Sequence, residues 1–159
     1  SGFFNDGKNP SASSPQEMQR YLGKISGPLL DRIDIHIEVT PVPFEKLSEE
    51  QKAESSVDIR KRVTAGREVQ SERFKDLENI HYNAQMNVKH IRKFCKLSEE
   101  SKTLLKTAME KLNLSARAYD RILKVSRTIA DLANEQDISP NHIAEAIQYR
   151  SLDRDGWLG

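Results

Sequence analysis

The chain has 159 residues, with 25 Lys and Arg against 24 Asp and Glu, a formal net charge of +1, 36% hydrophobic and 31% charged residues. The near-zero charge excludes a global nucleic-acid footprint, so any basic surface must be local. A mean hydropathy of −0.69, no apolar run of about 18 residues and no basic-then-apolar leader point to a soluble, helix-leaning chain of one domain or two small ones.

The opening Ser1-Gly2 reads as the edge of a fragment cut from a longer protein, and the first fourteen residues, rich in Gly, Asn, Ser and Pro, read as loop. Ser14-Pro15-Gln16-Glu17 has the form of a capping box with proline at the first helical position, predicting a short helix over residues 16–23. Gly27-Pro28-Leu29-Leu30-Asp31-Arg32 then predicts a single helical turn closed by Arg32. An alternating strand is expected over residues 33–39, with Ile33, Ile35, Ile37 and Val39 on one face and Asp34, His36 and Glu38 on the other. It is the only convincing strand in the sequence. One strand cannot form a sheet, so its partners must lie in sequence absent here.

From Ser55 or Ser56 onward the pattern is helical. Residues 56–77 predict a long, mostly solvated helix with a narrow apolar stripe, and residues 83–87 a polar connection. Four helices should follow, over residues 88–96 behind an Asn87 cap, 99–112, 116–134 behind Ser115, and from Ser139-Pro140 to about residue 151. In the third, Ala118, Ile122, Val125, Ile129 and Leu132 recur at steps of three and four, widened by Leu123, Ala130 and Ala133. Arg117 sits in its first turn, where the helix dipole disfavours a cation unless an anion is brought there.

Cys95 is the only cysteine. It permits no intrachain disulfide and suggests a reducing compartment. Its place at the apolar end of a short helix reads as a small buried hydrophobe, against a reactive thiol activated by Lys93 and Lys96.

Two long motifs give the chain a resemblance. Lys24-Ile25-Ser26-Gly27-Pro28-Leu29-Leu30-Asp31-Arg32-Ile33-Asp34-Ile35-His36-Ile37-Glu38-Val39 is similar to the end of an AAA+ ATPase core. Ser115-Ala116-Arg117-Ala118-Tyr119-Asp120-Arg121-Ile122 and the closing His142-Ile143-Ala144-Glu145-Ala146-Ile147-Gln148-Tyr149-Arg150-Ser151-Leu152-Asp153 complete the pattern. The chain resembles the C-terminal part of a magnesium chelatase-like AAA+ ATPase of the ComM/YifB family.

The resemblance implies a mainly α fold: residues 1–47 as the remnant of the nucleotide-binding core with one strand, 48–86 as a long linking helix and connection, and 87–159 as a helical lid. It makes Arg32 the arginine finger, the catalytic position acting on a neighbour's nucleotide, and Arg117 the sensor 2 arginine that contacts the phosphates. It implies ATP and Mg2+ as cofactors of the full-length parent, self-association into a ring, a hexamer, with DNA as partner, no membrane, and a cytoplasmic location. The work implied is DNA remodelling during recombination of incoming DNA.

Departures temper the enzyme reading. No Gly-x-x-x-x-Gly-Lys-Ser/Thr and no apolar run ending in Asp-Glu occurs, so this stretch alone should neither hold ATP tightly nor hydrolyse it. Relatives carry cysteines around residues 9–15, where this chain has Ser11, Ser13 and Ser14, so no metal is assigned. His81, His90 and His142 lack partners at metal-ligand spacing, and His36 reads as a packed strand residue. Two other readings compete: a freestanding helical DNA-binding module using Lys89, Arg92, Lys93 and Lys96, and an oligomerisation module. Against DNA stacking, no aromatic residue interleaves with that basic stripe except Phe94, whose spacing suggests core.

Overall fold

A computed structural model describes residues 20, 24, 26–37, 39 and 53–150. Apart from Arg20, the expected helix over 16–23 lies outside these residues, as do Ser11, Ser13 and Ser14. The described elements are α1 (Gly27–Leu30), α2 (Ser56–Phe74), a 3-10 turn (Asn83–Gln85), α3 (Val88–Phe94), α4 (Glu99–Lys111), α5 (Ala116–Leu132) and α6 (Pro140–Gln148). The chain is mainly α, as the sequence predicts.

Local signals place the helix starts. The side chains of Ser55, Asn87, Ser98 and Ser115 accept the backbone N–H three residues on, closing the first turns of α2, α3, α4 and α5. His90 and His142 belong to these starts. Nδ1 of His90 accepts the N–H of Asn87 at 3.4 Å, and Nδ1 of His142 accepts that of Ser139 at 3.1 Å. The ends of α4 and α5 fall to asparagines in the left-handed region, Asn113 at φ 48° and Asn134 at φ 57°. The N–H of Leu114 reaches Met109 O at 3.0 Å and that of Glu135 reaches Ala130 O at 2.8 Å, the six-to-one bond of a Schellman stop.

Helix α5 is the hub. It packs against α2, α3, α6 and the 3-10 turn, while α6 also lies on α4. Its Ile122, Leu123 and Ala130 meet Leu105 of α4, Ile143 and Ala146 of α6, Ile91 and Cys95 from the α3 end, and Phe74 of α2. Full burial of each large aliphatic or aromatic side chain here contributes roughly 1.5–3 kcal/mol. Phe94 is partly buried and meets Phe74 edge-to-face at a centroid distance of 5.4 Å, in keeping with its core spacing.

The long helix α2 touches this body only near its end. Gly66, Gln70 and Phe74 are its buried residues, whereas Val57, Ile59 and Val63 near its start are exposed. Gly66 allows the close approach: a Cβ there would lie 3.0 Å from Leu132 Cδ2. Four residues on, at Gln70, the side-chain oxygen accepts the N–H of Asn83 at 3.0 Å. A buried carboxylate then joins α2 to α5. Asp131 accepts from Arg73 Nη1 at 2.7 Å, from Arg73 Nη2, from Asn83 Nδ2 at 2.7 Å and from Arg127 Nε at 3.1 Å. Arg127 also donates to Glu135 O and Gln136 O, both at 2.7 Å, tying the chain after the α5 stop back onto the helix.

The expected strand over 33–39 is not formed among the described residues, where the sole bridge pairs Leu97 with Ile138. A strand is defined by a ladder, and among the described residues the backbone bond from the N–H of His36 to Tyr149 O at 2.8 Å does not extend into one. Its alternation survives in an inverted sense. Ile37 and Val39 are 71% and 87% exposed, while His36, on the polar side, is 5% exposed and turned into the helical body.

Candidate functional site

The turn at Gly27–Leu30 carries Arg32 to the surface. The N–H of Arg32 donates to Leu29 O at 3.0 Å, and its guanidinium reaches back to Pro28 O at 2.6 Å. Arg117 sits exposed in the first turn of α5, beside the Ser115 cap. These two arginines, far apart in sequence, line one cleft of about 340 Å³ together with Arg121, Lys124, Asp31, Asp120, Asn87 and the apolar Met86, Val88 and Ile91.

The cleft is electropositive. Its wall holds four cations (Arg32, Arg117, Arg121, Lys124) and two carboxylates (Asp31, Asp120). Arg121 is ion-paired with Asp34 at 2.9 Å, and Lys124 Nζ donates to Ala84 O at 2.9 Å. Burial, reinforced by the neighbouring Arg121, lowers the Lys124 pKa from its ordinary value, although Asp34 and Asp120 oppose that shift. Lys124, partly desolvated in this way, gains from an arriving anion. Planar guanidinium groups suit bidentate phosphate contact.

A second cleft of about 610 Å³ shares Val88, Ile91 and Asp120 with the first and adds Arg92, Lys96, Lys102, Cys95 and Tyr119. Here the fold supplies what the linear stripe lacked. Tyr119, 40% exposed on α5, lines the same cleft as Arg92 and Lys96. Cys95 is buried, and burial pushes its thiol up to about 11 against the opposing pull of Arg127 and Arg73. It is a core residue rather than an activated nucleophile. Among the described residues no group of three or more His, Cys, Asp or Glu is placed to hold a metal ion, and no helix is long and apolar enough to cross a membrane.

Arg32 and Arg117 were singled out by sequence, and the fold brings them together. Arg121 and Lys124 were not singled out. Both follow Arg117 along α5 at helical spacing, at i+4 and i+7, which is the signal that could have found them.

Residues 53–150 match the family described as magnesium chelatase, subunit ChlI C-terminal, and residues 1–47 match magnesium chelatase, subunit ChlI. The chain belongs to the magnesium chelatase family. It is 46% identical over 143 residues to the competence protein ComM of Haemophilus influenzae, covering 89% of this chain and 27% of that protein. It is 40% identical over 147 residues to YifB of Salmonella typhimurium, covering 92% and 28%, and 31% identical over 152 residues to Rv2897c of Mycobacterium tuberculosis, covering 89% and 30%. The chain thus spans little more than a quarter of the length of the ComM and YifB proteins it matches.

Proposed function

We propose that this chain supplies the phosphate-sensing cations of a ring-forming ATPase, acting on ATP held by a neighbouring subunit. Arg32 is the finger that stabilises charge spreading over the terminal phosphoryl group, and Arg117 is the sensor that contacts the same phosphates. The observation that supports this best is the shared cleft: two arginines from separate parts of the sequence face one space with Arg121 and Lys124. Since this sequence contains no glycine-rich phosphate cradle, the anion that fills the cleft arrives on another segment or subunit.

The cations fit the phosphate end of ATP, which supplies the phosphoryl group, while Mg2+ would be held by residues other than those of this wall. The assembled protein would be a cytoplasmic hexamer that remodels DNA, and the word competence in the name of the ComM relative fits a role with incoming DNA. In the full-length protein, Arg32→Ala should retain ATP binding and lose at least about 100-fold in turnover. Mixing it with subunits lacking the phosphate cradle should restore part of that activity, because the defects lie on opposite sides of an interface. Unchanged turnover in Arg32→Ala overturns the reading.

A second reading has its own observation, the cleft that Tyr119 lines together with Arg92, Lys96 and Lys102. One aromatic face among three cations suits a single-stranded nucleic acid. It predicts micromolar DNA binding by the isolated chain, lost steeply between about 50 and 200 mM salt and weakened by Tyr119→Ala. Binding that ignores Tyr119 removes it.

A further inference from the structure

Arg150 is among the most deeply buried side chains described, at 1% exposure, and it closes a motif to which the phosphate reading gives no role. Its guanidinium crosses from the end of α6 to the turn that carries Arg32. Nη1 donates to Ile33 O and Nη2 to Leu30 O at 3.4 Å. These carbonyls belong to the residues on either side of the Asp31-Arg32 pair, so one rigid fork holds the backbone both before and after Arg32.

Two neighbouring contacts act in the same direction. Tyr149 O accepts the N–H of His36 at 2.8 Å. Arg121, one helical turn beyond Arg117 on α5, pairs with Asp34 at 2.9 Å. The turn bearing Arg32 is therefore fastened both to α5, which carries Arg117, and to the end of α6. The separation of the two arginines is set across this contact rather than along the chain between them.

We propose that Arg150 is a positioning residue: it fixes Arg32 relative to Arg117 so that both meet one phosphate chain. The proposal rests on the phosphate reading of Arg32, and its test separates the two. Arg150→Lys keeps the charge, but a single ammonium cannot reproduce the planar two-carbonyl fork. In the full-length protein this variant should accelerate amide exchange at Arg32, Ile33 and His36 by about 10-fold or more, the loss expected for charge-assisted bonds. Exchange within the interior of α5 should stay unchanged.

Turnover should fall about 10-fold with KM within about twofold, as for a group acting through the transition state. The double variant Arg32→Ala/Arg150→Lys should be no slower than Arg32→Ala alone, since Arg150 acts through Arg32. Unaltered exchange at 32–36, or additive losses in the double variant, overturns the proposal. Normal turnover in Arg32→Ala removes the phosphate reading and any role of Arg150 in turnover, while exchange still decides whether Arg150 holds the turn. If Arg150→Lys fails to fold, Asp34→Asn, whose side chain is 40% exposed, should loosen the same amides by a smaller factor. No change there overturns the fastening.

Discussion

Asp131 offers the sharpest test of what holds the helical body together. Its side chain is fully buried, and its two oxygens accept from Arg73, Asn83 and Arg127. Asp131→Ala would leave two guanidinium groups, 13% and 4% exposed, without their carboxylate. Breaking a buried pair costs roughly 3–5 kcal/mol, because the surviving charge stays buried. Part of the loss is offset here. Arg127 keeps its bonds to Glu135 O and Gln136 O at 2.7 Å, and Arg73 keeps Asn83 Oδ1 at 2.9 Å. The expected loss is about 4 kcal/mol, a large share of the about 5–15 kcal/mol that holds an ordinary domain folded. Asp131→Asn retains the shape and one acceptor, and should lose about half as much. Equilibrium urea unfolding by circular dichroism gives both values, with the slope checked for a change in the unfolded state. A loss below about 1 kcal/mol for Asp131→Ala would refute the claim that this carboxylate ties α2 to α5.

Two other predictions concern single sites. Gly66→Ala should stabilise the chain by about 0.5 kcal/mol: a mid-helix glycine costs up to about 1 kcal/mol relative to alanine, and the crowding atom is the tip of Leu132, which is 40% exposed and able to move aside. A loss above about 1 kcal/mol in thermal unfolding would mean that Leu132 cannot yield. For Cys95 the folded thiol titrates near 11, above its ordinary range, so the unfolded chain sheds its proton first and stability falls as pH rises from about 9 to 11. The fall attributable to the thiol is about 2–3 kcal/mol, fully absent below that window, and should vanish from the pH profile of Cys95→Ala. An equal slope in that variant would contradict the assignment, as would rapid thiol labelling of the native chain at pH 8.

Most helices were legible because their starts are chemical. Asn87 and Ser115, read as caps, each offer a side-chain acceptor to the N–H three residues later, a bond that depends on local sequence alone, and Ser55 and Ser98 cap in the same way. The helix ends were less legible. Residues 116–134 were expected to be helical, but the helix closes at Leu132 because Asn134 adopts a left-handed conformation, a choice that asparagine permits without requiring. The apolar stripe of α5 located the core, yet it missed Arg127 and Asp131, which are about as buried as Leu123. Charge in a sequence reads as surface, and only the fold shows that these charges satisfy one another.

The turn around Arg32 shows both the reach and the limit of such reading. Its helical turn formed as Gly-Pro and the spacing dictate, since those signals are local. No strand forms among the described residues, because a strand needs a paired backbone, and the apolar side of the alternation stays exposed at Ile33, Ile35, Ile37 and Val39. The cations follow the same logic. Arg32, Arg117, Arg121 and Lys124 converge on a cleft lined by Asp31 and Asp120, with Asp34 pairing Arg121 beside it. Convergence of this kind is a tertiary property, created when α6 grips the Arg32 turn and α5 presents its first turns beside it. Spacing could nominate Arg32 and Arg117 separately, but tertiary contacts, those of Arg150, Tyr149 and Asp34 among them, make them neighbours.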